Sequence, residues 1–112
     1  MTKQEMREPT FLVLSALASG RMHGYALLAE TESLSQGRVQ MKPGTLYAVL
    51  DRLREEGLVE PAGEQIVDGR LRRYYEITDD GANRLAAEAA RLEANARRAM
   101  ANLGTRAAGL TA

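Results

Sequence analysis

The first apolar stretch of the chain covers nearly every face of a helix. Residues 10–18 read TFLVLSALA, with Pro9 before them and Gly20 after them. A helix that is apolar all round is buried among other elements. Proline suits the first turn of a helix, and glycine suits a left-handed cap at its C-terminus. We therefore predict a buried helix over residues 10–18 that is capped by Gly20.

Two further helices are apolar on one side only. The second is predicted over residues 23–34, and a turn over residues 37–41 leads to the third, predicted over residues 43–56. In the third helix a 3-1-3 spacing places Leu46, Val49, Leu50 and Leu53 on one core-facing side. The apolar stripe of the second helix contains Tyr25, Leu27, Leu28, Ala29, Thr31 and Leu34.

Two strand-like runs, residues 58–67 and 71–77, surround the dipeptide Asp68-Gly69. An Asp-Gly pair between such runs is typical of a two-residue type I′ hairpin turn. The register that follows gives one apolar pair and one pair of opposite charges, both of which stabilise a hairpin. These pairs are Ile66 with Leu71 and Glu64 with Arg73.

The two strands of this hairpin carry different signals. Pro61 and Gly63 mark the first strand as an edge strand or a bulged strand, because proline cannot donate to a ladder. In the second strand Tyr74 and Tyr75 point to opposite faces, so one of them belongs to the core. We assign Tyr75 to the core, on the same face as Ile77.

A long amphipathic helix is predicted to begin at Thr78, whose hydroxyl can cap the free N–H groups of the first turn. It is predicted to end near residue 103, about 39 Å later, and residues 104–112 are predicted to be frayed. A 4-3-4-3-4 spacing, typical of a helix that pairs with another helix, links Leu85, Ala89, Leu92, Ala96, Ala99 and Leu103.

These elements predict a mostly α fold with a small β-hairpin. Helix, hairpin and helix in this order are typical of a winged helix-turn-helix. We expect a winged helix-turn-helix domain over residues 1–77 and a C-terminal dimerisation helix with a frayed tail over residues 78–112.

Composition excludes several classes of function. The 112 residues carry a formal net charge of zero, no cysteine and one histidine, His23. A disulfide framework, thiolate chemistry and a zinc site of the usual kind are therefore excluded, and His23 is interpreted as a helix-start residue that bonds nearby backbone.

No nucleophile, base and orienting group form a catalytic set, so we expect neither an enzyme nor a bound cofactor. Without a long apolar run or a signal-like N-terminus, a cytoplasmic protein that contacts no membrane is predicted.

The start of the third helix is the sharpest local signal. Lys42, Pro43, Gly44 and Thr45 form a first turn in which Lys42 offers no side-chain oxygen to cap the free N–H groups. Those N–H groups, the helix dipole and the Lys42 ammonium favour an anion, such as a DNA phosphate. The alternative is a surface turn capped by water. The amphipathic helix and the hairpin that follow favour the phosphate.

Other residues of the third helix are candidates for DNA contact. Tyr47 is placed to bond a phosphate, and packing against the second helix is the alternative. Thr45 and Ala48 are candidates for base edges, because their methyl groups can meet a thymine methyl. Arg52 is also a candidate, although neighbouring glutamates can hold it in a solvated charged face.

Three arginines cluster near the hairpin tip, namely Arg70, Arg72 and Arg73. At that position they could reach phosphates or an adjacent minor groove. Arg73 has an alternative partner in Glu64 across the hairpin. Arg70 and Arg72 are therefore the preferred contacts.

Four ordered segments resemble the PadR-like family of transcriptional regulators. They are His23-Gly24-Tyr25, Gly44-Thr45-Leu46-Tyr47, Leu53-Arg54-Glu55-Glu56-Gly57-Leu58 and Arg73-Tyr74-Tyr75-Glu76-Ile77-Thr78. The resemblance covers about residues 9–103, and a single C-terminal helix is similar to the small subfamily. It implies a homodimer whose winged domains bind double-stranded operator DNA, and a repressor released by a small-molecule effector.

A two-fold dimer presents two recognition helices, so its operator is expected to be an inverted repeat. Drug-binding relatives use aromatic side chains at the dimer interface, whereas the last helix of this chain has none, which argues against a flat aromatic effector. The alternative function is a winged-helix protein-interaction module without operator binding. A steep loss of affinity with rising salt distinguishes the DNA-binding protein from that module.

Overall fold

The computed structural model describes residues 6–111 as four helices and a three-stranded antiparallel sheet. In chain order the elements are α1 (Glu8–Ala18), β1 (Met22–His23), α2 (Gly24–Leu34), α3 (Pro43–Glu55), β2 (Val59–Val67), β3 (Arg70–Ile77) and α4 (Asp79–Thr111). The first three helices and the sheet form a winged helix-turn-helix, and α4 follows the sheet directly. The predicted fold class is confirmed.

Helix α1 lies in the middle of the core. Val13, Leu14 and Leu17 are 0–1% exposed, which confirms that this helix is buried. Gly20 follows the cap residue Ser19 with a positive φ, as predicted, but its φ of +148° does not give the predicted left-handed cap. That angle lies far from the left-handed helical value of about +57°. Gly20 instead allows an abrupt exit towards β1.

The core joins α1 to one side of α3 and to the inner face of the sheet. Its members include the four predicted residues of α3 and Tyr75, all 0–9% exposed, so these assignments are confirmed. Each large apolar side chain that is fully removed from water contributes about 1.5–3 kcal/mol to folding.

Helix α2 packs through a narrower stripe than predicted. Leu27 and Thr31 are fully buried, but Tyr25 is 68% exposed and Leu34 is 45% exposed. The placement of Tyr25, Ala29 and Leu34 on a covered stripe is therefore wrong. The reason is that α2 is covered on one side only, and Tyr25 lies in its first turn beyond the edge of the core.

The sheet has the strand order β1-β3-β2, which makes β2 an edge strand. Asp68 and Gly69 have φ values of +52° and +78°, as the predicted type I′ turn requires. The bulge falls between Pro61 and Glu64, also as predicted. The predicted cross-strand pairs, Ile66 with Leu71 and Glu64 with Arg73, are confirmed.

Strand β1 was not predicted, because two residues are too few to show a period. Met22 pairs with Tyr75 and His23 pairs with Tyr74. This short strand covers the second edge of β3 and brings the start of α2 next to the wing, which is the β2–β3 hairpin. It therefore matters for the site described below.

Helix α4 begins as predicted. The Gly81 N–H donates to Thr78 Oγ1 over 3.0 Å, and the Thr78 hydroxyl donates to the Gly57 carbonyl over 2.7 Å. A Cβ at Gly81 would collide with the Leu58 carbonyl oxygen, so only glycine lets α4 start this close to the end of α3.

The C-terminal end of α4 differs from the prediction. The helix continues to Thr111, so the predicted end near residue 103 and the predicted fraying of residues 104–111 are wrong. Residue 112 lies outside the described residues. The physical reason is that an established helix gains one hydrogen bond for each residue added, which outweighs the poor helix propensity of Gly104 and Gly109.

Most of α4 projects from the rest of the protein. Leu85 packs against the core, whereas residues 92–109 are all exposed. The described chain measures 68 Å in its longest dimension against 33 and 21 Å in the other two. The division into domains 1–77 and 78–112 stays a prediction. Among the helices of the described residues, none is both long and apolar enough to cross a membrane.

Candidate nucleic-acid interface

The N-terminus of α3 is exposed and receives no bond from a capping side chain. Lys42 is the cap residue, with φ −84° and ψ 155°, and Pro43 stands in the first turn. All four predicted residues of this turn, Lys42 to Thr45, are exposed. The free N–H groups and the positive end of the helix dipole therefore face solvent, where they can bind an anion.

Tyr47 was predicted either to contact a phosphate or to pack against the second helix, and its position is compatible with both. Its hydroxyl rests against Gly24, the first residue of α2, where a Cβ would collide with it. The side chain is nevertheless 42% exposed. It borders a small cleft with Tyr25 and Pro43. Tyr47 therefore packs on α2 and is still partly exposed beside the start of α3.

Tyr47 also approaches the sheet. Burial raises the pKa of Tyr75, and the nearby Tyr47 and Asp51 raise it further, while Arg73 and Arg54 oppose the shift. Tyr47, Asp51 and Arg54 therefore lie on the flank of α3 that faces β3. This flank also contains a cleft shared by Arg54, Glu64 and Arg73.

The opposite flank of α3 faces the start of α1. Between the two helices runs a groove of about 270 Å³, here called the α1–α3 groove. It is lined by Arg7, Pro9, Thr10, Thr45, Ala48, Val49 and Arg52. The structure thus brings three predicted residues, Thr45, Ala48 and Arg52, together with Arg7. Arg7 was missed, because no local sequence signal connects it to α3.

The wing separates the three arginines at its tip. Side chains alternate along a strand, so Arg70 and Arg72 share one face of β3 and Arg73 lies on the other. Arg73 Nε stands 3.6 Å from a Glu64 carboxylate oxygen, and both side chains are largely exposed. The predicted alternative partner of Arg73 is therefore present.

Tyr74 contacts several side chains on the outer face of the sheet. The His23 ring meets it edge-on, with 5.3 Å between ring centroids, and the Arg21 guanidinium lies 4.4 Å above its centre. Arg21 Nη1 donates to the Ala62 carbonyl over 2.8 Å, and the Tyr74 hydroxyl donates to Gln65 Oε1 over 2.9 Å. Like Arg7, Arg21 was not predicted as part of the site, because no local sequence signal connects it to the wing.

His23 has the structural role that was predicted. Its Nδ1 accepts a bond from the Ala26 N–H over 3.4 Å and so caps α2. Burial lowers the pKa of His23, and the positive charge of Arg72 lowers it further, so the imidazole is neutral at pH 7. The closeness of Arg72 to His23 also shows that the wing adjoins the start of α2.

Comparison with known proteins identifies the family of this arrangement. The model of the transcriptional regulator PadR-like family matches residues 13–87, from α1 to the first turns of α4. The chain belongs to the PadR-like family. The family predicted from the four sequence motifs is therefore confirmed, and its members are transcriptional regulators rather than enzymes.

Individual PadR-like relatives agree with this assignment. The chain is 38% identical over 85 residues to the transcriptional regulator Rv3488 of Mycobacterium tuberculosis, an alignment covering 76% of each chain. A PadR family regulator from Eggerthella lenta is 29% identical, with a TM-score of 0.66 over 84% of this chain and 80% of that one.

A third comparison concerns the fold alone. The structure of Bacillus subtilis PadR in complex with operator DNA gives a TM-score of 0.64 at 22% identity. It covers 72% of this chain and 46% of that chain. The winged helix-turn-helix of the two proteins is therefore the same fold.

Proposed function

We propose that this PadR-like protein is a sequence-specific, DNA-binding transcriptional regulator that acts as a homodimeric repressor. The observation that carries the proposal is the exposed N-terminus of α3, without a side-chain cap, beside the arginines of the wing. Helix N–H groups and arginines are the groups that position DNA phosphates. The solved complex of Bacillus subtilis PadR with operator DNA, a protein of the same fold, supports it.

In this mechanism α3 enters the major groove and the wing follows the adjacent backbone. Lys42, the free N–H groups of the first turn and the Tyr47 hydroxyl bind phosphates. Thr45 and Ala48 meet base edges, chiefly thymine methyl groups. Arg70 and Arg72 bind phosphates beside the minor groove, where a narrow groove attracts arginine. Few strong hydrogen-bonding groups face the bases, so shape contributes to site selection.

The second part of the proposal is a homodimer formed through α4. Its apolar seam leaves the protomer's core after Leu85, and Leu92 and Leu103 are 41% and 58% exposed. A helix apolar along one side requires a partner there, and a 4-3 spacing fits a second copy of itself. The proposed interface contains Ala89, Leu92, Ala96, Ala99 and Leu103, with Leu85 at its inner end.

Repression follows if the dimer occupies a promoter, and release by a small-molecule effector remains part of the proposal. Helix α4 contains no aromatic residue, so we do not place a flat aromatic effector between paired α4 helices. The cytoplasm remains the proposed location, because operator DNA lies there in bacteria such as those that carry the relatives.

Binding measured over a range of salt concentrations tests the proposal. Genomic fragments captured by the purified protein should be enriched in the promoter next to its own gene. Affinity for such a duplex should fall linearly on a log–log plot against salt, by about 0.9 per bound phosphate. Binding without salt dependence and without promoter enrichment would instead favour a protein-interaction module.

Footprinting tests the dimer on DNA. We expect an inverted repeat whose half-sites lie about one helical turn apart, roughly 10 bp, or a multiple of it. Both recognition helices then enter major grooves on one face of the duplex. A single asymmetric half-site with one subunit bound would overturn this arrangement.

A further inference from the structure

The α1–α3 groove combines two arginines with the two residues proposed to meet bases, and its lining contains no acidic side chain. Arg52 comes from α3, and Arg7 precedes the first turn of α1. Thr45 and Ala48 line the same groove, along the wall that α3 contributes. The cleft on the other flank of α3 differs, because Glu64 stands inside it beside Arg73. The α1–α3 groove is thus the more purely cationic of the two.

The acid closest to Arg7 in sequence is already engaged. The Glu8 carboxylate accepts bonds from both terminal nitrogens of Arg38, one of them over 2.9 Å, and this ion pair lowers the pKa of Glu8. Arg7 forms no side-chain ion pair with any of residues 6–109, whose side chains the structure describes. Although Arg7 is the N-terminal cap residue of α1, its side chain makes no hydrogen bond to the first turn of that helix. Arg7 is an exposed residue that lines the groove.

The geometry of α3 gives the two flanks different neighbours. Tyr47, Asp51 and Arg54 turn towards the sheet and the wing, whereas Thr45, Ala48 and Arg52 turn towards α1. A helix in a major groove, about 12 Å wide, has one phosphate strand on each side. The wing side supplies cations for one strand. The other strand would pass along the α1–α3 groove.

We propose that Arg7, together with Arg52, forms a second phosphate-binding site in the α1–α3 groove, on the flank of α3 opposite the wing. This inference rests on the proposed DNA-binding function and adds a contact to it. Its ligand is the sugar–phosphate backbone of the duplex. With cations on both flanks, α3 is centred in the groove, and the start of α1 becomes part of the DNA-binding surface.

The test compares the salt dependence of binding for the full-length protein and its Arg7→Gln variant, using one promoter duplex found by footprinting. Each phosphate that is no longer bound should reduce the slope by about 0.9, hence by nearly two units for the two copies in a dimer. Arg7→Lys should keep most of the slope because it keeps the charge. Ethylation interference should lose its signal at phosphates on the strand away from the wing.

Arg98→Gln is the matched control. Arg98 is an exposed residue of α4, so this variant removes the same charge far from the groove and should leave the slope unchanged. A wild-type slope and interference pattern in Arg7→Gln would overturn the inference while leaving the proposed function intact. Equal slope losses in Arg7→Gln and Arg98→Gln would also overturn it, since net charge would then explain the effect. If the unmodified protein binds no promoter duplex, the proposed function itself fails.

Discussion

Helices α3 and α4 carry similar apolar stripes in different surroundings. In α3, the residues Leu46, Val49, Leu50 and Leu53 are 0–6% exposed. In α4, Leu92 is 41% exposed and Leu103 is 58% exposed, although their spacing is just as regular. The apolar side of α3 is covered by α1, α2 and the sheet, whereas α4 projects from the rest of the protein after its first turns.

The difference shows what an amphipathic pattern establishes. It predicts that one side of a helix will be covered, because exposed apolar surface is costly. It does not say which chain provides the cover. The family match also ends at residue 87, close to the point where α4 leaves the core. The following variants separate the two situations, from the largest expected effect to the smallest.

Leu50→Ala should lower the free energy of unfolding by about 2–5 kcal/mol, because it leaves a cavity in a closed core. Leu103→Ala removes a similar side chain from the exposed stripe of α4. Its effect should grow with protein concentration, because in the proposed dimer the stabilisation at this position comes from the second copy. Urea unfolding at several concentrations measures both. Equal and concentration-independent losses would contradict the comparison.

Leu92→Arg should convert a dimer to a monomer, because it places a charge within the seam of paired α4 helices. Ala94→Arg adds the same side chain two residues away, on the outer side of α4, and should leave the dimer intact. Sedimentation of both variants at micromolar concentration distinguishes them. A monomeric wild-type protein would remove the basis for this prediction.

Tyr47→Phe should weaken DNA binding with little loss of stability, because the ring stays beside α2 while the hydroxyl proposed to bind a phosphate is gone. Tyr47→Ala should weaken binding and also lower the melting temperature, because the side chain no longer packs on α2. Binding isotherms and thermal melts on the same samples separate the two roles. Wild-type affinity in Tyr47→Phe would mean that Tyr47 acts only through packing.

Arg70→Ala and Arg72→Ala should each flatten the salt dependence of binding, by about one unit for each phosphate that the variant no longer binds. Arg73→Ala should change it less, because Arg73 pairs with Glu64 on the other face of β3. That exposed pair is worth only about 0.2–1 kcal/mol of stability. An unchanged slope in the Arg70 and Arg72 double variant would show that the wing does not touch DNA.

The smallest effect is expected where the sheet meets α4. A hydrogen bond with Glu76 raises the pKa of Glu60 above its usual value of 4.5, and burial and the charges of Glu76 and Asp79 raise it further. Folding therefore favours protonated Glu60, and that contribution is present at acid pH and lost as pH rises through the raised pKa. Glu60→Gln should slightly raise the melting temperature at pH 7 and have no such effect below pH 4.5. An identical shift at both pH values would exclude this cause.

Much of the proposed site was readable from the sequence, because its signals are local. The uncapped start of α3, the type I′ turn and the arginines at the wing each depend on a few neighbouring residues. Arg7 and Arg21 were not readable, since they meet α3 and the wing only after the chain has folded. The sequence also did not explain Gly24, where the Tyr47 hydroxyl leaves no room for a Cβ.

The sequence by itself determined the helices, the hairpin register and the buried side of α3, since hydrophobic period, turn residues and helix capping act over short distances. Only the tertiary structure decided that β1 forms, that Tyr25 is exposed and that Arg7 lines a groove with Arg52. It also decided that the protomer's own core does not cover the apolar stripe of α4 beyond Leu85. These outcomes depend on contacts between residues far apart in the chain, which no local pattern records.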